Sequence, residues 1–172
     1  MTVVETDRLV LRRLSGDDAE FILRLLNEPS FLRFVGDRGV RTLDDARAYI
    51  QRGPMDSYDR HGFGLYLVVL KEGLVPIGIC GLVKREALED VDIGFAFLPE
   101  YWSKGYAFES ARAVLGYARS VVGLPRVVAI TTPDNASSIR VLEKLGLGFE
   151  RMVRLKEGEP EIKLFATGAG GS

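Results

Sequence analysis

Two spacings of apolar residues divide the chain. Alternation with polar or small neighbours predicts strands, and recurrence at every third or fourth position predicts helices. Arg8-Leu9-Val10-Leu11-Arg12-Arg13 alternates, a first strand that turns its basic residues away from the core. Ser15-Gly16-Asp17-Asp18 supplies a helix start, with acids in the first turn, and Ala19, Ile22, Leu23, Leu25 and Leu26 form its apolar face up to Pro29. After a short segment at 31–35, Thr42-Leu43-Asp44-Asp45 opens another helix, over 44–52. Residues 63–70 and 75–84 read as a hairpin turned by Lys71-Glu72-Gly73, and a third strand, 92–98, follows the turn at 86–90. Ala111, Val114, Leu115, Ala118 and Val122 then recur at helical spacing until Gly123-Leu124-Pro125 stops them. The β-branched run 126–132 reads as a buried strand, parallel to 92–98 because a helix crosses between them. A helix over 136–145, ended by Gly146, and strands at 152–156 and 161–165 complete the order. The pattern predicts an α+β fold with seven strands.

Composition narrows the function. The 172 residues, 47% hydrophobic and 27% charged, suit one domain over 1–167, with Gly168-Ala169-Gly170-Gly171-Ser172 expected as a flexible tail. Lys and Arg number 23 against 24 Asp and Glu, which leaves no basic excess for nucleic acid and no charge block for a membrane surface. The N-terminus carries charges where a signal peptide needs an apolar run, and no stretch reaches membrane-spanning length. A single cysteine, Cys80, excludes an intrachain disulfide and, with the one histidine, His61, leaves few ligands for a metal. A cytoplasmic protein without a metal is the expectation.

The chemistry concentrates after the strand 92–98. Ile93, Phe95 and Phe97 share one face of it, Pro99 ends its pairing, and Ser103-Lys104-Gly105-Tyr106-Ala107 places a hydroxyl, a cation and small residues where a helix begins. Free N–H groups and the positive end of the dipole suit a phosphate or pyrophosphate there. A tight structural turn at Gly105 is the alternative. Cys80 lies in the apolar run Ile77-Gly78-Ile79-Cys80-Gly81 with nothing beside it to activate a thiol, and it reads as core.

Three motifs carry a resemblance. Trp102-Ser103-Lys104-Gly105-Tyr106-Ala107 is similar to the Gln/Arg-x-x-Gly-x-Gly/Ala loop of the GCN5-related N-acetyltransferase (GNAT) superfamily. The helix Asn135-Ala136-Ser137-Ser138-Ile139-Arg140-Val141-Leu142-Glu143-Lys144-Leu145-Gly146 resembles that of its RimJ/RimL-like group, which acetylates ribosomal-protein N-termini, and Thr6-Asp7-Arg8-Leu9-Val10-Leu11-Arg12 is similar to the group's opening strand. Three departures stand out. Trp102 replaces Gln or Arg, Leu147 replaces a Phe, and Leu142 stands where many members carry the Tyr proposed to protonate the departing thiolate.

The resemblance implies a mostly antiparallel sheet flanked by helices (an αβα arrangement), with its parallel pair splayed to admit acetyl-CoA, which donates acetyl directly to a primary amine in a ternary complex. It implies that pantetheine pairs with the backbone of Phe97 and Leu98 and meets Asn135. The pyrophosphate would lie against Trp102, Ser103, Lys104, Gly105, Tyr106 and Ala107. Ser138 would stand near the sulfur and donate a proton to it. Asp92 matches the glutamate base of some histone-acetylating relatives. As a carboxylate in a partly apolar cleft it would suit that role, and a solvated acid at a strand edge is the alternative reading. Asn135 also suits a helix cap. Glu100 and Glu109 read as structural; Arg140 and Lys144 read as solvated charge, with contact to the coenzyme 3′-phosphate the alternative, and His61 as an exposed loop residue, with a place in the acceptor pocket the alternative. A protein N-terminus is the expected acceptor, against the segment 31–39 and the hairpin near 153–160. The alternatives are a small amine (aminoglycoside, polyamine or amino acid) and a non-catalytic acyl-CoA-binding protein. A homodimer is compatible with all three.

Overall fold

The computed structural model describes residues 2–168; the tail expected at 168–172 lies outside the described residues from 169 onward. Fourteen elements are needed to place the site. They are strands β1 (Thr2–Glu5) and β2 (Leu9–Arg13), helices α1 (Ala19–Leu26), α2 (Pro29–Phe34), α3 (Leu43–Ile50) and α4 (Asp56–His61), and strands β3 (Leu65–Leu70), β4 (Val75–Val83) and β5 (Asp92–Phe97). Helix α5 (Tyr106–Tyr117), strand β6 (Val128–Thr131), helix α6 (Ala136–Lys144) and strands β7 (Gly148–Val153) and β8 (Ile162–Ala166) follow. The sheet has eight strands in the order β1-β2-β3-β4-β5-β6-β8-β7. The seven-strand expectation missed β1, a short, mostly exposed ribbon on the edge of β2.

Alternation along the strands sorts the core into two layers. Leu67, Val69, Ile79 and Leu98 face α1 and α3 and pack against Ile22, Leu25, Leu26 and Ile50. Tyr66, Val68, Ile93 and Phe97 face the other way, toward Ala111 and Val114 of α5 and Ala118 just after it. Burying each large aliphatic side chain contributes roughly 1.5–3 kcal/mol. Capping boxes at Ser15 with Asp18 and at Thr42 with Asp45 hold the starts of the first helical segments.

Two local departures bear on the site. The helical path does not end with α3 at Ile50; Pro54 has no N–H to give, and the chain widens into a π turn over Gln51–Met55 that leads into α4. The penultimate strand lies at Gly148–Val153, earlier than expected, and is an exposed edge with a bulge between Phe149 and Arg151.

The sheet has one parallel contact. Strands β5 and β6 pair only at Asp92 and Val128, with the Val128 N–H donated to the Val91 carbonyl at 3.0 Å. Beyond that point the two strands part toward their C-terminal ends.

Candidate active site

The parted strands leave unpaired backbone on both banks of a wedge. On β5 the Leu98 N–H is donated to the Ile77 carbonyl of β4 at 3.0 Å. Successive residues of a strand turn their backbone groups to opposite sides, so those of Phe95 and Phe97 point to the side where β6 has left. On β6, Val127 accepts the Thr167 N–H, so the groups of Ile130 face the gap. The expectation at Leu98 needs correction. Its N–H belongs to β4 and its carbonyl already accepts the Tyr101 N–H, so it has no backbone donor left for a ligand. The Phe97 carbonyl is also taken, by the Trp102 indole Nε1–H at 2.9 Å, which leaves the Phe97 N–H.

That indole bond alters the reading of Trp102. Its one polar hydrogen is spent tying the loop to β5, so Trp102 fixes the loop and offers no donor to a phosphate. The loop then turns through two left-handed residues, Ser103 at φ 62° and Gly105 at φ 84°, and enters the twelve-residue α5. Glu109 is the first to give its N–H along the helix, to the Gly105 carbonyl, so the amides of Tyr106, Ala107 and Phe108 are left facing out of its N-terminus. No side chain caps them. Lys104 is exposed beside them.

Arg8 braces this loop and was not marked by the sequence. Its Nε meets Glu109 Oε1 at 2.7 Å, its Nη1 donates to the Lys104 carbonyl at 3.1 Å, and its guanidinium lies 4.5 Å above the Tyr106 ring. Thr6 donates to the same carboxylate at 2.5 Å, which, with Arg8, holds Glu109 below the ordinary range although burial opposes this. Because the pair is half exposed, Arg8→Ala is expected to weaken coenzyme binding only about threefold to tenfold. Trp102, the sole tryptophan, reports this by fluorescence titration; unchanged affinity would show that the loop holds without Arg8.

On the face of α1–α3, β5 presents Asp92, Gly94 and Ala96. A Cβ at Gly94 would meet nothing nearer than Leu65 Cδ2 at 4.0 Å, so this part of the strand floors an open cleft of about 550 Å³. Phe31, Phe34 and Gly36, and Leu155, Glu159 and Pro160, from the two segments expected to meet an acceptor, also line it. Arg33 of α2 reaches across the mouth to Asp134 at 3.3 Å.

Asp92 is 1% exposed and is not the solvated edge acid of the alternative reading. Its Oδ2 accepts from Arg85 Nε at 2.7 Å. Burial pushes the carboxyl above its ordinary value, and the guanidinium draws it part of the way back. Arg85 lay hidden in the sequence between a strand and a turn; the pairing of Val83 with Asp92 brings it alongside.

Across the wedge, Asn135 caps α6 by accepting the Ser138 N–H at 3.3 Å, and Asn135, Ser138 and the buried Leu142 all line the cleft. Among the described residues the Ser138 hydroxyl makes no hydrogen bond. Other residues fall outside the chemistry. Cys80 is fully buried and its thiol is pushed up to about 12 by that burial. Glu100 pairs with Arg24 at 2.6 Å, and Lys144 lies 4.9 Å over the Phe108 ring. Among the described residues no three His, Cys, Asp or Glu side chains converge as metal ligands, and no helix is long and apolar enough to cross a membrane.

Comparison with known proteins places this geometry. Residues 8–148 match the model of the acetyltransferase (GNAT) domain. The chain is 30% identical over 154 residues to the uncharacterized N-acetyltransferase YoaA of Bacillus subtilis (strain 168), covering 88% of this chain and 86% of that one. Its fold superimposes on a GNAT-family acetyltransferase from Bacillus anthracis with a TM-score of 0.78, at 25% identity over 96% of this chain and 97% of that one. RimL, a ribosomal L7/L12 alpha-N-protein acetyltransferase solved in complex with coenzyme A, shares the fold over the full length of both chains, with a TM-score of 0.77 at 16% identity.

Proposed function

The chain belongs to the GNAT acetyltransferase family and is an acetyl-CoA-dependent N-acetyltransferase, and from this premise we propose that it acetylates the α-amine of a protein N-terminus in the cytosol, as a RimJ/RimL-like enzyme, monomeric or dimeric. The observation that carries the reading is the wedge. It joins a nest of helix-terminal amides on one face of the sheet to an open cleft over Asp92 on the other. That cleft is floored by small residues and open enough for the end of a polypeptide. The shared fold of RimL, named for such an activity, is in keeping with it.

The residues divide the work by position. The amides of Tyr106, Ala107 and Phe108, with Ser103, Lys104 and Gly105, would hold the pyrophosphate, and Phe95, the Phe97 N–H and Asn135 would align the pantetheine arm. The coenzyme supplies the activated acetyl thioester. Asp92, ionised and paired with Arg85, takes the proton of the acceptor ammonium, directly or through one water, and frees the nitrogen lone pair. Nitrogen then bonds to the carbonyl carbon, the carbon–sulfur bond breaks, and Ser138 passes its hydroxyl proton to the departing thiolate while it takes up the second proton, which the new amide nitrogen sheds. Holding both reactants in one cleft accounts for much of the acceleration, roughly 7–11 kcal/mol in favourable model reactions.

The test is release of free thiol from acetyl-CoA with a panel of N-terminal peptides and small amines. Faster turnover of the peptides is expected. Turnover of small amines alone would replace the acceptor, and tight coenzyme binding with no release on any amine would leave an acyl-CoA-binding protein. In the same assay Ser138→Ala should lower kcat by about tenfold with little change in KM, because Leu142 supplies no proton of its own.

A further inference from the structure

The acceptor cleft does not end at Asp92. Tyr49, Leu65, Val83, Arg38 and Arg85 line it and also line a second cavity of about 570 Å³ between α3–α4 and the end of β4. The π turn at Pro54 makes this cavity, because it carries the chain past Arg52 and on to Arg60 and His61 instead of away from the sheet.

Its charge is one-sided. Arg38, Arg52, Arg60, Lys84 and Arg85 line it against Asp56 and Glu86, in a chain whose overall charge is −1. Arg60 is matched by Asp56 at 3.0 Å and Arg85 by Asp92. Lys84 donates only to the carbonyls of Arg85 and Leu88, at 3.1 and 2.5 Å, so no carboxylate offsets it. Arg38 and Arg52 have no ion-pair or hydrogen-bond partner among the described residues. The acids Asp92, Glu159 and Glu161 line the neighbouring cleft and do not line this cavity.

Resting on the acetyltransferase reading above, we propose that the acceptor is a primary amine that also carries an anionic group, a carboxylate or phosphate, seated in this basic cavity while its amine faces Asp92. Two cations without partners in a concave, partly apolar wall are a site for a negative charge, and the acids beside the acetyl position suit an ammonium. The same arrangement rejects polyamines and aminoglycosides, whose remaining positive charges would meet Arg38 and Arg52.

Competition kinetics test this with three peptides that share the same N-terminal residue and differ in carrying acidic, neutral or basic residues after it, together with glutamate, phosphoethanolamine and spermidine. The acidic peptide, or the two small acidic amines, should be favoured over the basic counterparts by about tenfold or more in kcat/KM. Which of the two acidic arms is favoured tells a protein N-terminus from a free metabolite. The preference should shrink as salt screens the cavity. In the double variant Arg38→Glu, Arg52→Glu, both at exposed positions, it should level or invert. Equal rates across the panel, or a preference for spermidine, would overturn the inference and leave the acetyltransferase reading standing. Should no amine be turned over, that reading fails. Calorimetric titration of the acidic peptide into the coenzyme-bound protein then decides the cavity. Binding lost in the double variant supports it, and no binding to the parent overturns it.

Discussion

Gly105→Glu is expected to abolish coenzyme binding in a protein that still folds. Gly105 sits at φ 84° immediately before the free amides of α5, and a side chain there projects beside them. At an effective dielectric constant near 20, a carboxylate and a phosphate about 5 Å apart repel by roughly 3 kcal/mol, which is about a hundredfold in Kd. The fold should bear the change. A left-handed non-glycine residue costs roughly 1–2 kcal/mol, Ser103 already adopts such a conformation two residues earlier, and the nearest obstacle to the new Cβ is the movable tip of Arg8 at 3.3 Å. Gly105→Ala separates the two effects, for it brings the strain without the charge. Its Kd should rise by less than about tenfold. Trp102 fluorescence and the thermal midpoint read both variants. Parental affinity in Gly105→Glu, with a midpoint no lower than that of Gly105→Ala, would remove the pyrophosphate from this loop.

The elements that set up that test were legible in the sequence because each speaks locally. Alternating Ile93, Phe95 and Phe97, the break at Pro99, and Gly105 before a helical apolar stripe need no distant partner to be read. The parallel placement of β6 followed from the handedness of crossovers, and the outcome was a single paired position, with the wedge beyond it. What escaped depends on contacts distant in sequence. Arg8 braces a loop nearly a hundred residues away, and Arg85 meets Asp92 only through the register of two strands. The 51–62 stretch was missed for another reason. Gly53 and Pro54 are helix breakers by local rule, and the π turn that absorbs them makes sense only once α3 is pinned by Ala46 and Ile50 in the core. The basic cavity was invisible for the same cause, because Arg38, Arg52 and Lys84 lie in three separate segments.

Asp92→Asn should lower turnover by about a hundredfold or more with coenzyme affinity nearly unchanged. The deficit should be largest at low pH, where the acceptor is mostly an ammonium and needs a base, and should shrink as pH rises toward the amine's own pKa. Stability separates this role from that of a strut for Arg85. Burial raises the Asp92 carboxyl above its unfolded value, so the native state binds this proton more tightly than the unfolded chain. The stability it contributes is full below the unfolded value and is lost as pH rises through the native one. Once ionised, the carboxylate is therefore held against the stability of the fold, with Arg85 offsetting only part of the cost. Asparagine removes that burden, and Arg85, whose side chain is 30% exposed, can turn to water. The thermal midpoint near neutral pH should thus move by only a few degrees while turnover collapses. A midpoint and a coenzyme affinity that fall together with activity, across a pH–rate profile of unaltered shape, would make Asp92 a strut and pass the base to water. A buried carboxylate that faces an open cleft and whose proton affinity is raised by burial is what proton abstraction requires.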